Sequence, residues 1–407
     1  MSKKQFISGL FAVFFTVANI VAQDLVQWRG ADRNGIYNET GLLKEWPAEG
    51  PKMIWNFDGL GQGFTSVTVV NDKVYTTGIV DGKGLVFCIG TDGKLIWKSE
   101  YGKDWTESFP GTRTSLVYNK AKLYLATAYG EALCLDAATG KKVWSVDMAS
   151  KYGSRTPKWG IVEAPVILGD KVFFTPGGTE VVLVALNINT GAEIWKSKLT
   201  GDSSAYCSPL LVNHNGKKIL VTSLSKSIVG VNTENGELLW SVSQINTWGV
   251  HPNTPLYKDG LIYSLTGYKT GGVMIKLSDD GKSVTELWRN TTLDSQMGGA
   301  VWIGNYIIGS GQSSDRSWQA LDFKTGNVVF KSAEIGKGVV IYADGLIYCY
   351  ADNGEMGIME IADNSFKLKS KFRIVLGTEQ HWAHPVIDKG VLYIRHGNTL
   401  MAYNVKK

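Results

Sequence analysis

Cysteine is scarce in this chain and scattered where it occurs. Four stand in 407 residues, Cys88, Cys134, Cys207 and Cys349, with no CxxC or CxxCH spacing. That removes a zinc ribbon, a thioredoxin-type redox pair and covalently attached haem. They fall in strand-like runs and read as small buried hydrophobes; Cys88 and Cys134 take similar places in consecutive segments, so a pairing between them stays open. The sequence also lacks GxSxG, HExxH, a P-loop, an EF-hand loop and a GxGxxG at a strand–helix junction, which weakens the common hydrolase, metalloprotease and nucleotide-binding readings. Charged residues are only 19% of the chain and the net charge is +5, too mild an excess to argue for nucleic acid. Helical periodicity is missing as well.

What is present begins with an address. Lys3-Lys4 is a positive n-region, Phe6 to Val17 is an apolar run, and Ala22 is a plausible cleavage residue. The run is broken by Ser8, Thr16 and Asn19 and falls short of the ~20 apolar residues of a membrane span. Residues 1–22 therefore read as a cleaved export signal. They imply a periplasmic or secreted protein with no transmembrane span once the signal is removed.

The rest is organised by a repeat. Its clearest copy is Leu133-Cys134-Leu135-Asp136-Ala137-Ala138-Thr139-Gly140-Lys141-Lys142-Val143-Trp144. An alternating apolar run ends in a turn, where Asp136 can bond its own backbone and Gly140 can take positive φ; a second run follows and carries a tryptophan. The same shape ends at Trp97, Trp195 and Trp240, and stretched copies end at Trp288 and Phe330. From Trp55 onward the steps are 42, 47, 51, 45, 48 and 42 residues. A period of that length with strand alternation predicts four-stranded propeller blades, docked by one large aromatic each.

The boundaries follow. Residues 23–52 are too polar and turn-rich for a blade and form a leader expected to run across one face of the disc. Residues 53–407 form one all-β domain. Six blades end at the repeated aromatics, a degenerate seventh runs from Gly338 to about Phe372, and the last, His381 to Val405, holds only three strands. The segment 53–57 is the spare strand, so the prediction is an eight-bladed β-propeller closed by pairing its N-terminal strand with the last blade.

The Asp/Asn-x-x-Thr-Gly-x-x-x-Trp repeats resemble those of PQQ-like, quinoprotein-type eight-bladed propellers, and the resemblance covers nearly the whole mature chain. It implies the fold; for function it points two ways. In quinoprotein alcohol dehydrogenases, PQQ and calcium sit near the axis, held by a Glu and an Asn after second strands and an Asp before a first strand. Glu180, after Pro176-Gly177-Gly178-Thr179, resembles that Glu; Tyr268 stands where the Asn would be, and Asp294 is the nearest acid to the third place. The vicinal cysteine pair of many such enzymes is missing. The second likeness is to BamB, the outer-membrane assembly propeller, which binds partners without a cofactor, although the lipid-bearing cysteine is absent here.

Topology then selects a face. In a propeller the starts of first strands and the loops after second strands share one face. This places Arg113, Trp159, Glu163, Glu180, Tyr206, Trp248, His251, Gln296, Lys337, His381, Trp382 and His384 together. His214, in the turn Asn213-His214-Asn215-Gly216, is expected in solvent. Aromatic rings with Arg, His and Glu at one mouth suit a polar ligand with flat apolar faces. The resulting reading is a monomeric, exported binding or scaffold protein for a protein or glycan partner, with no cofactor, metal or nucleic acid. A PQQ- and calcium-dependent oxidoreductase acting on an alcohol or sugar is the alternative.

Overall fold

The repeated turn shows how the sequence sets the architecture. In blade 2 the strands run Val117–Asn119, Lys122–Ala126, Glu131–Asp136 and Lys142–Asp147, from the axis outward. Asp136 Oδ1 accepts the N–H groups of Ala138 (3.1 Å) and Thr139 (2.9 Å) and the Thr139 hydroxyl (2.7 Å). Gly140 follows at φ 72° and returns its N–H to the Asp136 carbonyl at 2.8 Å. Asn187 and Asp322 build the same turn.

The glycine has a second duty. A Cβ on Gly140 would lie 2.6 Å from the indole of Trp97 in the preceding blade. Gly93, Gly191, Gly236 and Gly326 lie in the same way on Trp55, Trp144, Trp195 and Trp288. Each of these last four indoles donates to a carbonyl of the turn it covers: Trp55 to Thr91, Trp144 to Ile188, Trp195 to Thr233 and Trp288 to Phe323, at 2.8–3.0 Å. Trp97 and Trp240 do not: their indole nitrogens are buried without a partner. The motif is therefore a turn and an inter-blade lock in one.

This is a computed structural model, and it describes residues 25–178, 180–197 and 202–407; the export signal read at 1–22 lies outside them. The described residues form eight sheets of four blade strands, two of which carry a fifth strand. The ring closes as expected: Met53–Asp58 pairs antiparallel with Thr399–Asn404, Asp58 opposite Thr399. All four cysteines are buried and free. Among the described residues no helix is long and apolar enough to cross a membrane.

Two expectations are corrected. His214 is 7% exposed and bonds the Tyr257 hydroxyl (3.1 Å) and the Ser278 carbonyl (3.0 Å). It is the last residue of the strand Leu210–His214 rather than part of the turn, so its ring points at the next blade. Only the second part of the leader lies across a face: the Leu42 N–H reaches Asp344 at 2.8 Å, and Glu39 accepts the N–H groups of Lys389 and Gly390, all at the turn face; the first part enters the axis. Leu25–Val26 pairs antiparallel with the innermost strand of blade 2, and Ile36–Tyr37 parallel with that of blade 7, Gly338–Ala343. Residues 25–37 thus form a loop inserted along the axis, rising from the turn face and returning to it.

Two arginines hold that loop. Arg29 donates to the carbonyls of Ala300 (2.7 Å) and Val340 (3.3 Å), in blades 6 and 7. Arg33 donates to those of Ala164 (2.8 Å), Pro165 and Pro209, in blades 3 and 4. Both are buried, and burial pulls each guanidinium down to about 10. The inner strands of a propeller leave carbonyls at the axis without a partner strand; the two guanidinium forks satisfy them. Beyond the loop, Trp46 is buried against Tyr348 and Phe372, fixing the leader between blades 7 and 8.

Candidate functional site

The starts of seven inner strands converge on a funnel at the mouth face. Its wall includes Phe64, Arg113, Tyr206, Trp382 and His384, and its floor is Trp28 at the tip of the inserted loop. The loop closes the axis below the funnel, so the site is a pocket rather than a passage.

Each side chain singled out from the sequence has a definite place. Arg113, Tyr206, Trp382 and His384 line the funnel; Lys337, His381 and Trp382 line a neighbouring recess. Trp382 separates the two and packs on Phe64 (4.9 Å between centroids) and Phe109 (5.3 Å). Trp159 meets Trp248 edge-to-face at 6.4 Å and lies 6.2 Å from Tyr206, with Lys158 within 5.0 Å of both indoles. Trp248 is 54% exposed. Gln296 bonds Tyr268 and Gln312 beside the recess. Glu163 and His251 are buried beneath the lining at 1% exposure each. Glu180 stands exposed on its loop and lines neither hollow.

The electrostatics make most of these groups quiet. His384 Nδ1 accepts from Arg29 at 2.9 Å, so its Nε2–H donates to the Met297 carbonyl at 2.9 Å. Burial, with Arg29 beside it, pushes the imidazole down to about 3. His251 falls to about 4 through burial, and so does His381, helped by His396 stacked 3.6 Å away. Glu163 is pushed up to about 7 by burial; its Oε1 accepts the Thr175 N–H at 2.5 Å and its Oε2 has no partner. Arg113 is drawn down to about 10 by burial, while Asp104 holds it up. Its Nη2 donates to the Ser108 and Phe109 carbonyls at 3.3 and 2.5 Å, and its Nε is buried without a partner.

A calcium–PQQ pair needs more oxygens than this mouth offers. Calcium takes six to eight. Both Asp294 oxygens are taken by the backbone N–H groups of Lys269, Gln312, Ser313 and Ser314. Tyr268 replaces the expected amide, Glu180 is outside, and Glu163 is under the floor. Among the described residues no three His, Cys, Asp or Glu side chains gather closely enough to hold a metal. The residues present do not fit the pair.

A family model described as outer membrane protein assembly factor BamB matches residues 82–332. The chain belongs to that family. Among solved structures, BamB from Moraxella catarrhalis superposes over 87% of this chain and 99% of its own, with TM-score 0.63 and 14% identity. Quinohemoprotein alcohol dehydrogenase from Comamonas testosteroni covers 92% and 79%, with TM-score 0.66 and 13% identity. At such identities the likeness is one of fold. By sequence, the chain is 28% identical over 271 residues to the quinoprotein alcohol dehydrogenase PedH of Pseudomonas putida, over 64% of this chain and 40% of that one. It is 24% identical over 398 residues to polyvinylalcohol dehydrogenase of a Sphingopyxis species, over 75% and 58%. The chain thus spans less than two thirds of the length of PedH and of polyvinylalcohol dehydrogenase.

Sequence reasoning missed Trp28, Phe64 and Met297. Phe64 and Met297 are placed by unremarkable loops and carried no signal. Trp28 did: Trp28-Arg29-Gly30 and Arg33-Asn34-Gly35 put two arginines between turn glycines in a stretch whose only acid is Asp32. A Cβ at Gly35 or Gly299 would collide with Arg29, so those glycines are seats for the guanidinium.

Proposed function

We propose that this chain is an exported, monomeric binding or scaffold propeller that recognises a protein or glycan through its mouth face. The observation that carries this reading is the composition of the funnel: aromatic walls around Trp382 and Trp28, with no carboxylate on the surface and an imidazole whose two nitrogens are already engaged. A general acid or base needs a free, suitably poised titratable group within reach of the substrate. His384 is committed to Arg29 and Met297, and Glu163 lies beneath the lining. Aromatic rings with a nearby guanidinium, by contrast, are where binding energy concentrates.

The similarity to PedH and to polyvinylalcohol dehydrogenase supports a second reading, a quinoprotein oxidoreductase acting on an alcohol or sugar. The oxygen donors argue against it.

The test is a screen of immobilised glycans and peptides, followed by titration calorimetry on variants first shown to be folded by circular dichroism. Trp248→Ala or Trp382→Ala should weaken the captured ligand at least about tenfold, ~1.4 kcal/mol. Thr139→Ala, in a turn of the opposite face, should leave it unchanged. Normal binding by the tryptophan variants together with loss in the turn variant means that the binding face is reversed.

A further inference from the structure

The funnel wall carries hydroxyl donors and a cation but no carboxylate. Ser115 Oγ accepts the Ser66 N–H at 3.1 Å, Ser208 Oγ accepts the Ala164 N–H at 2.9 Å, and the Tyr206 hydroxyl oxygen accepts the Trp159 N–H at 3.3 Å. Each of these hydroxyls already accepts one backbone N–H and keeps its own hydrogen to give. Arg113 Nε–H is buried and has no partner. His384 has nothing left to offer. The wall therefore presents uncommitted donors beside the one cation of the lining, and no acid lines it.

Such a wall discriminates among ligands. A peptide segment brings one N–H for nearly every carbonyl, and those donors would meet no carboxylate here. A carboxylate brings acceptors only and can take Arg113 and a hydroxyl together; charge-assisted bonds of this kind are about twice as strong as neutral ones. The remaining wall is flat and apolar. Trp382, braced by Phe64 and Phe109, presents an aromatic surface to the funnel, and Trp28 forms the floor. A saturated ring with axial C–H groups on one side and oxygens around its edge matches both surfaces.

Resting on the binding reading above, we infer that the ligand is an acidic saccharide, its uronate carboxylate on Arg113 and its ring against Trp382. Lys158, near the half-buried Trp159 and the exposed Trp248, adds a second positive charge at the rim, where a neighbouring sugar residue of a chain would lie.

The experiment is titration calorimetry of the full chain with trigalacturonate, with neutral galactotriose and with a tripeptide bearing a free C-terminal carboxylate. Trigalacturonate is expected to bind at least tenfold more tightly than galactotriose, with affinity falling as salt is raised. Arg113→Gln should erase that preference and Arg113→Lys should restore part of it; thermal melts establish that both are folded. Equal binding of the acidic and neutral sugars overturns the inference and leaves the binding reading standing. Binding of the tripeptide alone does the same, by showing that a peptide is the ligand. Oxidation of either sugar in the presence of PQQ and calcium overturns the binding reading itself.

Discussion

The two ends of each blade are built on opposite plans. At the turn face, one short motif recurs around the ring: an Asx side chain folds the chain back, a glycine accepts the neighbour's indole, and in four blades the indole donates to the turn beneath it. Local and long-range interactions use the same few residues, so the motif is visible in sequence and cannot drift without weakening a blade interface. At the mouth face nothing repeats. The loops differ in length, tryptophans occur at unrelated places, and buried polar atoms such as Arg113 Nε, Glu163 Oε2 and His251 Nδ1 are left without partners. Such unpartnered groups cost roughly 1–3 kcal/mol each. At the turn face the unpartnered atoms are mostly indole nitrogens and tyrosine hydroxyls at blade interfaces, such as Trp97, Trp240 and Tyr348, whereas at the mouth they include charged groups.

Breaking the stabilising half should have the largest effects. Removal of residues 25–58 deletes both the closing strand and the axial loop, exposing an edge of blade 8 and the carbonyls that Arg29 and Arg33 satisfy. The expected product is aggregated protein without a cooperative thermal transition. A soluble truncation that melts like the intact chain contradicts the closure described here.

One step smaller, Trp144→Ala should cost about 3–5 kcal/mol in a urea melt, as for other large buried aromatics. Gly140→Ala probes the same interface from the other side. It places a methyl group against Trp97 at a positive φ, and overpacking of this kind costs about 1–3 kcal/mol. A Gly140→Ala variant as stable as the parent would mean that the glycine serves the turn alone and not the lock.

The smallest effect sharpens the mouth's side of the comparison. Glu163 titrates near 7, above its ordinary 4.5, because burial penalises the carboxylate. A raised folded value means stability that is complete below the unfolded value and lost as pH rises through 7. Glu163→Gln removes that dependence. Relative to the parent, the variant should gain stability between pH 5 and pH 8, measured as the difference in urea midpoints at the two values. A pH-independent difference would show that Glu163 is not charging beneath the funnel.

The same contrast explains what could be read from the sequence. The fold, the blade count, the docking tryptophans and the closing strand were all legible, because each rests on a spacing repeated many times. His214 was not: one residue of register decides whether a side chain belongs to a turn or to the strand before it. The axial loop was not, since its partners are carbonyls of distant inner strands, and backbone acceptors leave no mark in composition. At the mouth, topology put Arg113, Tyr206, Trp382 and His384 around one funnel. It could not tell that His251 and Glu163 lie beneath the lining or that Glu180 stands outside, because loop length alone does not fix side-chain depth.

The central claim is that this mouth recognises a ligand and does not house a quinone. The direct measurement is the thermal unfolding of the full chain with PQQ and calcium, added separately and together over a wide concentration range. Specific binding at a hundred times the Kd would stabilise the fold by ~2.7 kcal/mol, a shift that a melt readily detects. No saturable shift is predicted with either addition or with both. A saturable rise that needs both components and disappears in Glu180→Ala would contradict the account and make the quinoprotein reading the correct one.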